Sequence, residues 1–414
     1  MTQQEIMETL EVLESLEIEE CISLMLERIK PQERVYEVPI IEACGMVSAE
    51  NIVSDMMVPP FPKSAMDGYA VCAADLENAS LENPVSLQVK GELLAGDYKE
   101  YIYEKNTAIR VMTGAYIPKG YDAVVRQEDT DYGEETVQIY SKAKSFANYC
   151  KEGEDIQRGQ EILHKHTRLQ PTHIGLLASI GVEKLRVYVP VKVALLSTGT
   201  ELAKVGQPLT KGKIYNNIAY LLAASMQKQG VQVSFMQTCV DDEALLTEKI
   251  NQALQVADLV ITTGAVSVGK KDIVPKVLTD MGADILFRRA NIQPGTPTTA
   301  SILDGKLILS LSGNPYAAFA NFELYFWTIL AKMMHHESFD TVRGTAILQS
   351  DYPKINRMRR LIRARVENGN VYLPTQVHTS SVIHNLTECN CFIDLEANRK
   401  VSVGDTVSIR YIKN

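Results

Sequence analysis

The run VKVALLSTG at residues 191–199 decides the fold. It is almost continuously apolar, has the length of a single strand, and ends on Ser197-Thr198-Gly199. Four runs of the same character follow: VQVSFMQTC (231–239), ADLVITTG (257–264), DILFRRA (284–290) and LILSLSG (307–313). Strands that are apolar on every residue have both faces covered, whereas a strand with one wet face alternates. Helical spacing fills most of the gaps, at 216–229, 242–256 and 272–281. Strand and helix in alternation predict parallel strands between two layers of helices, a three-layer α/β domain over residues 183–333.

Outward from this segment the pattern changes twice. Downstream, residues 340–414 hold alternating runs, IRARVENGNVYL, CFIDLEA and DTVSIRYI, with an Asn368-Gly369 turn, and predict a small β-barrel or sandwich. Upstream, residues 45–147 carry short strand-like runs, VSLQVKGELLA, TAIRVM, DAVVRQE and TVQIYS, separated by turn residues. Helical spacing flanks that β region on both sides. Residues 3 to about 30 read as helix, stopped by Pro31, and a second helix starts near Pro171. The stretch up to about Glu17 reads as an extension outside the core fold.

Composition limits function. A length of 414 residues implies two to four domains, and 45% apolar with 22% charged residues is an ordinary globular balance. The net charge of -9 argues against a nucleic-acid partner, which needs a basic face. An anionic small molecule would need a local basic cluster. Two are present: Arg357, Arg359, Arg360, Arg363 and Arg365, and Lys270, Lys271, Arg288 and Arg289. The seven cysteines form no C-x-x-C pair, which disfavours a zinc site, and Cys389 and Cys391 read as buried small side chains. With no apolar run approaching a membrane span and no leader-like start, a cytoplasmic protein is expected.

Three of the strands end alike, on Ser197-Thr198-Gly199, Thr262-Thr263-Gly264 and Ser312-Gly313-Asn314. Ligands of open parallel sheets bind at the carboxyl ends of the strands. Glycine lets a phosphate reach backbone N–H groups, and a helix that follows favours an anion. The third loop runs into such a helix, 316–332. Three such loops in one sheet predict a phosphate or nucleotide pocket, although neither G-x-G-x-x-G nor a Walker A motif is present. Glu201, Asp241 and Asp272 sit beside the loops and suit Mg²⁺ shared with phosphate. Spacing alone leaves a second reading open, in which Asp241 or Asp242 caps the next helix.

Motifs elsewhere extend the picture. PPFPKSAMDGYAV spans 59–71, followed in order by MTGA (112–115), AVVRQE (123–128), GEDI (153–156), STGTEL (197–202), VSVG (266–269), Pro294-Gly295-x-Pro297 and SGNP (312–315). Together they resemble the molybdopterin molybdenumtransferase family, which includes MoeA and the E-domain of gephyrin, from about residue 20 to the end of the chain. The resemblance implies an elongated multidomain α/β plus β chain of four domains. These are a split helical domain (18–44 and 148–182), an inserted β domain with the SAMDGYA motif (45–147), the α/β molybdopterin-nucleotide-binding domain (183–333) and a C-terminal β-barrel (340–414). It implies a homodimer with a site shared between subunits, and a reaction in which adenylylated molybdopterin and molybdate, with Mg²⁺, give molybdenum cofactor and AMP. A molybdopterin adenylyltransferase and recipient molybdoenzymes are the partners such a step implies. By position, Asp67, Thr113, Glu201, Asp241 and Asp272 resemble the family's catalytic residues, the last three its magnesium acids. Substrate contacts are implied for Ser64, Thr198, Gly199, Gly264, Ser267, Gly269, Pro294, Gly295, Pro297, Gly313, Asn314, Arg363 and Ser380.

The chain departs from the family pattern in one place above all. Where relatives read K-P-G-K-P, it has Gln293-Pro294-Gly295-Thr296-Pro297; G-N-P-V-S is Gly313-Asn314-Pro315-Tyr316-Ala317. The S-G-G-V of relatives is Thr263-Gly264-Ala265-Val266, and D-S-N is Asn216-Asn217-Ile218. The family holds molybdate with those lysines and a serine, so their loss should weaken a dianion's site by several kcal/mol unless something compensates. Arg288 or Arg289, Arg363 and the Ser380-Ser381 pair are the candidates. The nucleotide and magnesium residues persist while the oxyanion residues do not.

Overall fold

The computed structural model describes residues 15–266, 273–374, 379 and 381–413. The chain forms two compact units: Glu37–Cys44 with Ser48–Arg186, and the described residues of Met1–Tyr36, Gly45–Val47 and Val187–Asn414.

The second unit begins with helix α1 (Ile18–Arg28), which buries Ile18, Cys21 and Met25 on one face. Residues 15–17 lie outside it, and the predicted helical stretch at 3–14 falls outside the described residues. Leu16 instead forms a parallel bridge with Ala290, its N–H donating to the Arg289 carbonyl at 3.2 Å. The end of the predicted extension is thus tied to the α/β domain.

In the first unit, β1 (Gly68–Val71), β2 (Val85–Leu93), β3 (Thr107–Val111), β4 (Ala123–Arg126) and β5 (Thr136–Ile139) form one sheet in the order β4-β1-β3-β2-β5. Its faces bury two apolar clusters, one around Tyr69 and Val71 and one around Ala70 and Val111. Half of the SAMDGYA signature is therefore core. Gly68 is required sterically, since a Cβ there would lie 2.0 Å from the Val125 carbonyl oxygen. Helix α2 (Pro171–Ser179) starts on its proline as predicted.

The α/β domain contains β6 (Lys192–Thr198), β7 (Gln232–Cys239), β8 (Leu259–Thr263), β9 (Asp284–Arg289), β11 (Pro297–Leu303) and β12 (Lys306–Leu311); the two-residue β10 (Ile292–Gln293) belongs to another sheet. The order is β7-β6-β8-β12-β11-β9. The pairs among β7, β6, β8 and β12 are parallel; β11 is antiparallel to both of its neighbours. This corrects the expectation of an all-parallel sheet. Residues 297–303 are an additional strand, hidden in the sequence by its polar residues Thr298, Thr299 and Ser301, all fully buried. Helices α3 (Asn217–Lys228), α4 (Glu243–Val256), α5 (Val274–Asp280) and α6 (Pro315–Met333) cover the sheet. α6 is buried on nearly all sides, through Phe319, Phe322, Phe326 and Trp327, each of which contributes about 1.5–3 kcal/mol on burial. No helix among the described residues is long and apolar enough to cross a membrane.

The C-terminal strands β13 (Arg343–Leu348), β14 (Arg359–Glu367), β15 (Asn370–Tyr372), β16 (Cys391–Leu395) and β17 (Thr406–Tyr411) close into a five-stranded barrel. Closure comes from the β14–β16 pairing. The Asn368-Gly369 turn joins β14 to β15 with both residues at positive φ, as an Asn-Gly hairpin requires. Cys389 and Cys391 are buried and free. Strand β10 lies parallel to β14, with Gln293 paired to Arg360.

Candidate active site

Two constellations of exposed polar groups stand out, one in each compact unit. In the first unit Asp67 precedes β1 and Thr113 follows β3. Antiparallel pairing of these strands, Gly68 opposite Val111, brings the two together. Asp67 Oδ1 accepts from the Thr113 N–H and hydroxyl, each at 2.7 Å. The Thr113 N–H and then its hydroxyl hold the Asp67 carboxyl below its ordinary range, so it is an anion near neutral pH. Ser64 is different. It is buried, and its hydroxyl donates to the Met66 carbonyl at 2.6 Å, so it shapes the turn that presents Asp67.

In the second unit the three strand-end loops converge at the place where the sheet order reverses, β6 leading to β7 on one side and β8 lying on the other. The strand ends are tied by Thr263 Oγ1, which donates to Ser197 Oγ at 2.9 Å. Gly264 has φ +89°, and a Cβ on it would lie 2.1 Å from the Thr198 carbonyl oxygen. Gly313 packs against Gly264 in turn, its Cβ position 3.3 Å from the Gly264 Cα. These loops pack backbone on backbone, leaving room only for glycine. Thr198 is buried, so its side chain is not offered to the surface of these loops.

The acids are now distinguishable. Asp242 is the N-cap of α4, accepting from the Leu245 N–H at 2.8 Å. Asp241 does not cap. Its Oδ2 accepts the Thr200 N–H at 3.1 Å and the Thr200 hydroxyl, which fixes the carboxylate on the loop after β6. Glu201 belongs to the same loop, its carboxylate oxygens 2.8 Å from the Cβ position of Gly199. Both acids are exposed. Mg²⁺ characteristically uses one or two carboxylates plus phosphate oxygens, and this pair fits that use. Among the described residues no group of three acidic, His or Cys side chains is gathered. Asp272, Ser267, Gly269 and Ser380 lie outside the described residues.

Beside these loops is a cleft of about 460 Å³, lined by Gln293–Pro297, Ser312, Asn314 and Arg360 together with Tyr316 and Ala317 from the first turn of α6. Gly295 is held to α6 by Asn321, whose Nδ2 donates to the Gly295 carbonyl at 2.8 Å; a Cβ on Gly295 would lie 2.1 Å from that nitrogen. The predicted compensating cations are elsewhere. Arg288 donates to Thr279 Oγ1 at 3.2 Å. Arg363 is fully buried, lies 3.7 Å from the centre of the Tyr316 ring, and donates to the Thr379 and Val382 carbonyls and to Asn385. Arg360 is the arginine that faces the cleft. Thr200 and Asn321 were not legible as site residues; Arg360 stood out only as one of a five-arginine cluster, and what singles it out is a strand pairing across 67 positions.

A doubly wound sheet with glycines at its strand-end loops, an inserted β unit with an Asp–Thr pair, and a C-terminal barrel are the parts of a multidomain α/β plus β protein. Family models agree segment by segment. Residues 16–181 match the MoeA N-terminal region (domain I and II), 194–332 the probable molybdopterin binding domain, and 345–410 the MoeA C-terminal region (domain IV). The molybdopterin molybdenumtransferase of Staphylococcus epidermidis (strain ATCC 35984) is 36% identical over 372 residues, covering 89% of each chain. That of Bacillus subtilis (strain 168) is 36% identical over 373 residues, 88% of this chain and 87% of the relative. The crystal structure of the molybdopterin biosynthesis MoeA protein from Pyrococcus horikoshii OT3 superposes with a TM-score of 0.82 at 29% identity, covering 96% of this chain and 100% of that one. The chain belongs to the molybdopterin molybdenumtransferase family.

Proposed function

We propose that this protein inserts molybdate into adenylylated molybdopterin, with Mg²⁺, releasing AMP and molybdenum cofactor. The observation that carries the reading is the Thr200–Asp241 contact. It fixes a carboxylate beside three glycine-lined strand ends, while Asp242 serves the capping role that Asp241 could otherwise have had. Cleaving a phosphoanhydride needs charge neutralisation and positioning, not a protein nucleophile. Mg²⁺, when bound, would supply that neutralisation, with Glu201 and Asp241 as its holders. The backbone at Gly199 and Gly264 would approach the phosphates, and the start of α6 would favour an oxyanion.

Asp67 and Thr113 belong to the same reading as a rigid acidic contact supplied by the other compact unit. A homodimer, in which the inserted unit of one subunit faces the α/β domain of the other, would complete the site. A cytoplasmic location, with an adenylyltransferase upstream and molybdoenzymes downstream, accords with this role. The test is reconstitution with adenylylated molybdopterin and Mg²⁺, scoring AMP release with and without molybdate. Release that depends on molybdate is expected; AMP release indifferent to molybdate, or none, would reject the assignment. Sedimentation at micromolar concentration checks the dimer independently.

A further inference from the structure

The cleft at Gln293–Pro297 holds neither of the two lysines that relatives place there, so its anion affinity depends on another charge. Among the described residues that line it, Arg360 is the one cation. Arg359 is committed to Asp394, at 2.6 and 2.7 Å, and to Glu19 at 2.7 Å. Arg363 is separated from the cleft by the Tyr316 ring. Arg360 is different from both. Its Nη1 donates to Asn356 Oδ1 at 2.9 Å and more loosely to Gln293 Oε1 at 3.4 Å, and no carboxylate among the described residues pairs with it. A guanidinium held only by neutral amides keeps its full charge and most of its donors for a ligand.

The register explains the loss of lysine. β10 and β14 are parallel, and Gln293 stands directly beside Arg360. Like charges on paired strand positions repel, so a lysine at 293 and an arginine at 360 would oppose each other. Glutamine at 293 removes the repulsion and supplies an acceptor that steadies the guanidinium. Other donors converge on the same space. Asn314, the N-cap of the 19-residue α6, makes no side-chain capping bond, so the N–H groups of Tyr316 and Ala317, both lining the cleft, are left uncapped by it. Ser312 Oγ accepts from the Asn314 N–H at 3.2 Å and keeps its own proton for another acceptor. Thr296 contributes less, because its hydroxyl donates to the Ile292 carbonyl at 2.7 Å.

We propose that Arg360 is the oxyanion-anchoring cation of this cleft, the charge having moved from the Gln293–Pro297 loop to the adjoining barrel strand. The inference rests on the reading of the cleft as the oxyanion site. The experiment is calorimetric titration of the full chain with sodium molybdate at low ionic strength, on wild type, Arg360→Gln, Gln293→Lys and the double variant. Arg360→Gln should weaken binding by at least about tenfold, the scale of a charge-assisted hydrogen bond. Gln293→Lys should bring no gain, or a loss, in the wild-type background and restore most of the affinity in the Arg360→Gln background. A general structural role for Arg360 would not produce that reversal. A wild type that binds molybdate and is indifferent to Arg360→Gln, or an equal gain from Gln293→Lys in both backgrounds, overturns the role of Arg360 while leaving the functional reading intact. A wild type that neither binds molybdate nor answers to it in AMP release overturns that reading, and the role of Arg360 with it.

Discussion

The strand-end loops around Gly199 and Gly264 and the cleft around Gln293–Pro297 serve one proposed reaction but are built by different rules. In the first, Gly264 packs against the Thr198 backbone and Gly313 against Gly264, while Gly199 faces the Glu201 carboxylate, so an added side chain would crowd its neighbour. The second depends on side chains that hydrogen-bond across elements: Asn321 donates to Gly295, and Arg360 to Gln293. Backbone-defined geometry tolerates little change. A site defined by side chains can draw its charge from a neighbouring strand, which is the role proposed for Arg360.

The largest expected effect concerns the support beneath the cleft. Arg359 and Arg360 are adjacent in β14, yet Asp394 holds one and no acid among the described residues holds the other. Asp394 is buried between Arg359 and Arg410, the latter 2.6 Å away. Removing it in Asp394→Ala leaves two arginines without their shared carboxylate and should destabilise the protein by about 3–5 kcal/mol, read by denaturant unfolding. Burial raises the Asp394 pKa, but the two arginines outweigh it and hold the carboxyl below 3.8. Its contribution is therefore present above that value and lost as pH falls through the still lower folded value. A loss below about 1 kcal/mol, the range of a surface pair, would show that the barrel does not depend on this network.

Next in size are the loop acids. Glu201→Gln and Asp241→Asn should each lower Mg²⁺-dependent AMP release by on the order of 100-fold, about 3 kcal/mol of barrier, with the melting temperature little changed because both side chains are exposed. Asp241→Asn is the sharper test, since an asparagine there can still accept from Thr200. Unchanged turnover in both variants would remove magnesium binding from this loop.

α6 links the two regions, and it carries a buried carboxyl. Glu323 Oε2 accepts the Lys413 N–H at 2.9 Å, and burial pushes its pKa from 4.5 to about 7. A carboxyl that prefers its proton when folded loses stability as pH rises from the unfolded to the folded value. The penalty is complete above about pH 7 and corresponds to about 3 kcal/mol. Glu323→Gln should therefore stabilise the protein by about 2–3 kcal/mol at pH 8 and hardly at all below pH 4.5. Melting curves at the two pH values decide it; equal shifts at both would mean the carboxyl is not buried in solution.

What could be read from the sequence follows the same division. Apolar runs revealed β6, β8 and β12, and the glycines at their ends marked the ligand edge, because these features depend on adjacent residues. Strand β11 was hidden because Thr298, Thr299 and Ser301 look exposed and are not. Arg363 resembled an anion ligand by position, whereas its neighbours in space, Tyr316 and Asn385, enclose it. Arg360 drew attention only as one arginine among five. Its place at the cleft depends on β10 joining the barrel, a pairing that no local pattern announces.

The smallest effect lies where the conserved-looking side carries one change of its own. Ala265 follows Gly264 at φ +52°, in the left-handed region, where relatives have glycine. An alanine there costs about 1–2 kcal/mol through the crowding of its Cβ. Glycine would remove that strain but would also gain freedom in the unfolded chain, which offsets about 0.4–1 kcal/mol. Ala265→Gly should thus stabilise the fold by no more than about 1 kcal/mol. The methyl itself packs against the apolar cluster that includes Val266 and Val274, so AMP with Mg²⁺ should bind the variant within a few-fold of wild type. A loss of stability together with weaker AMP binding would mean that the methyl packs usefully here, and that this loop tolerates side-chain variation as the cleft does.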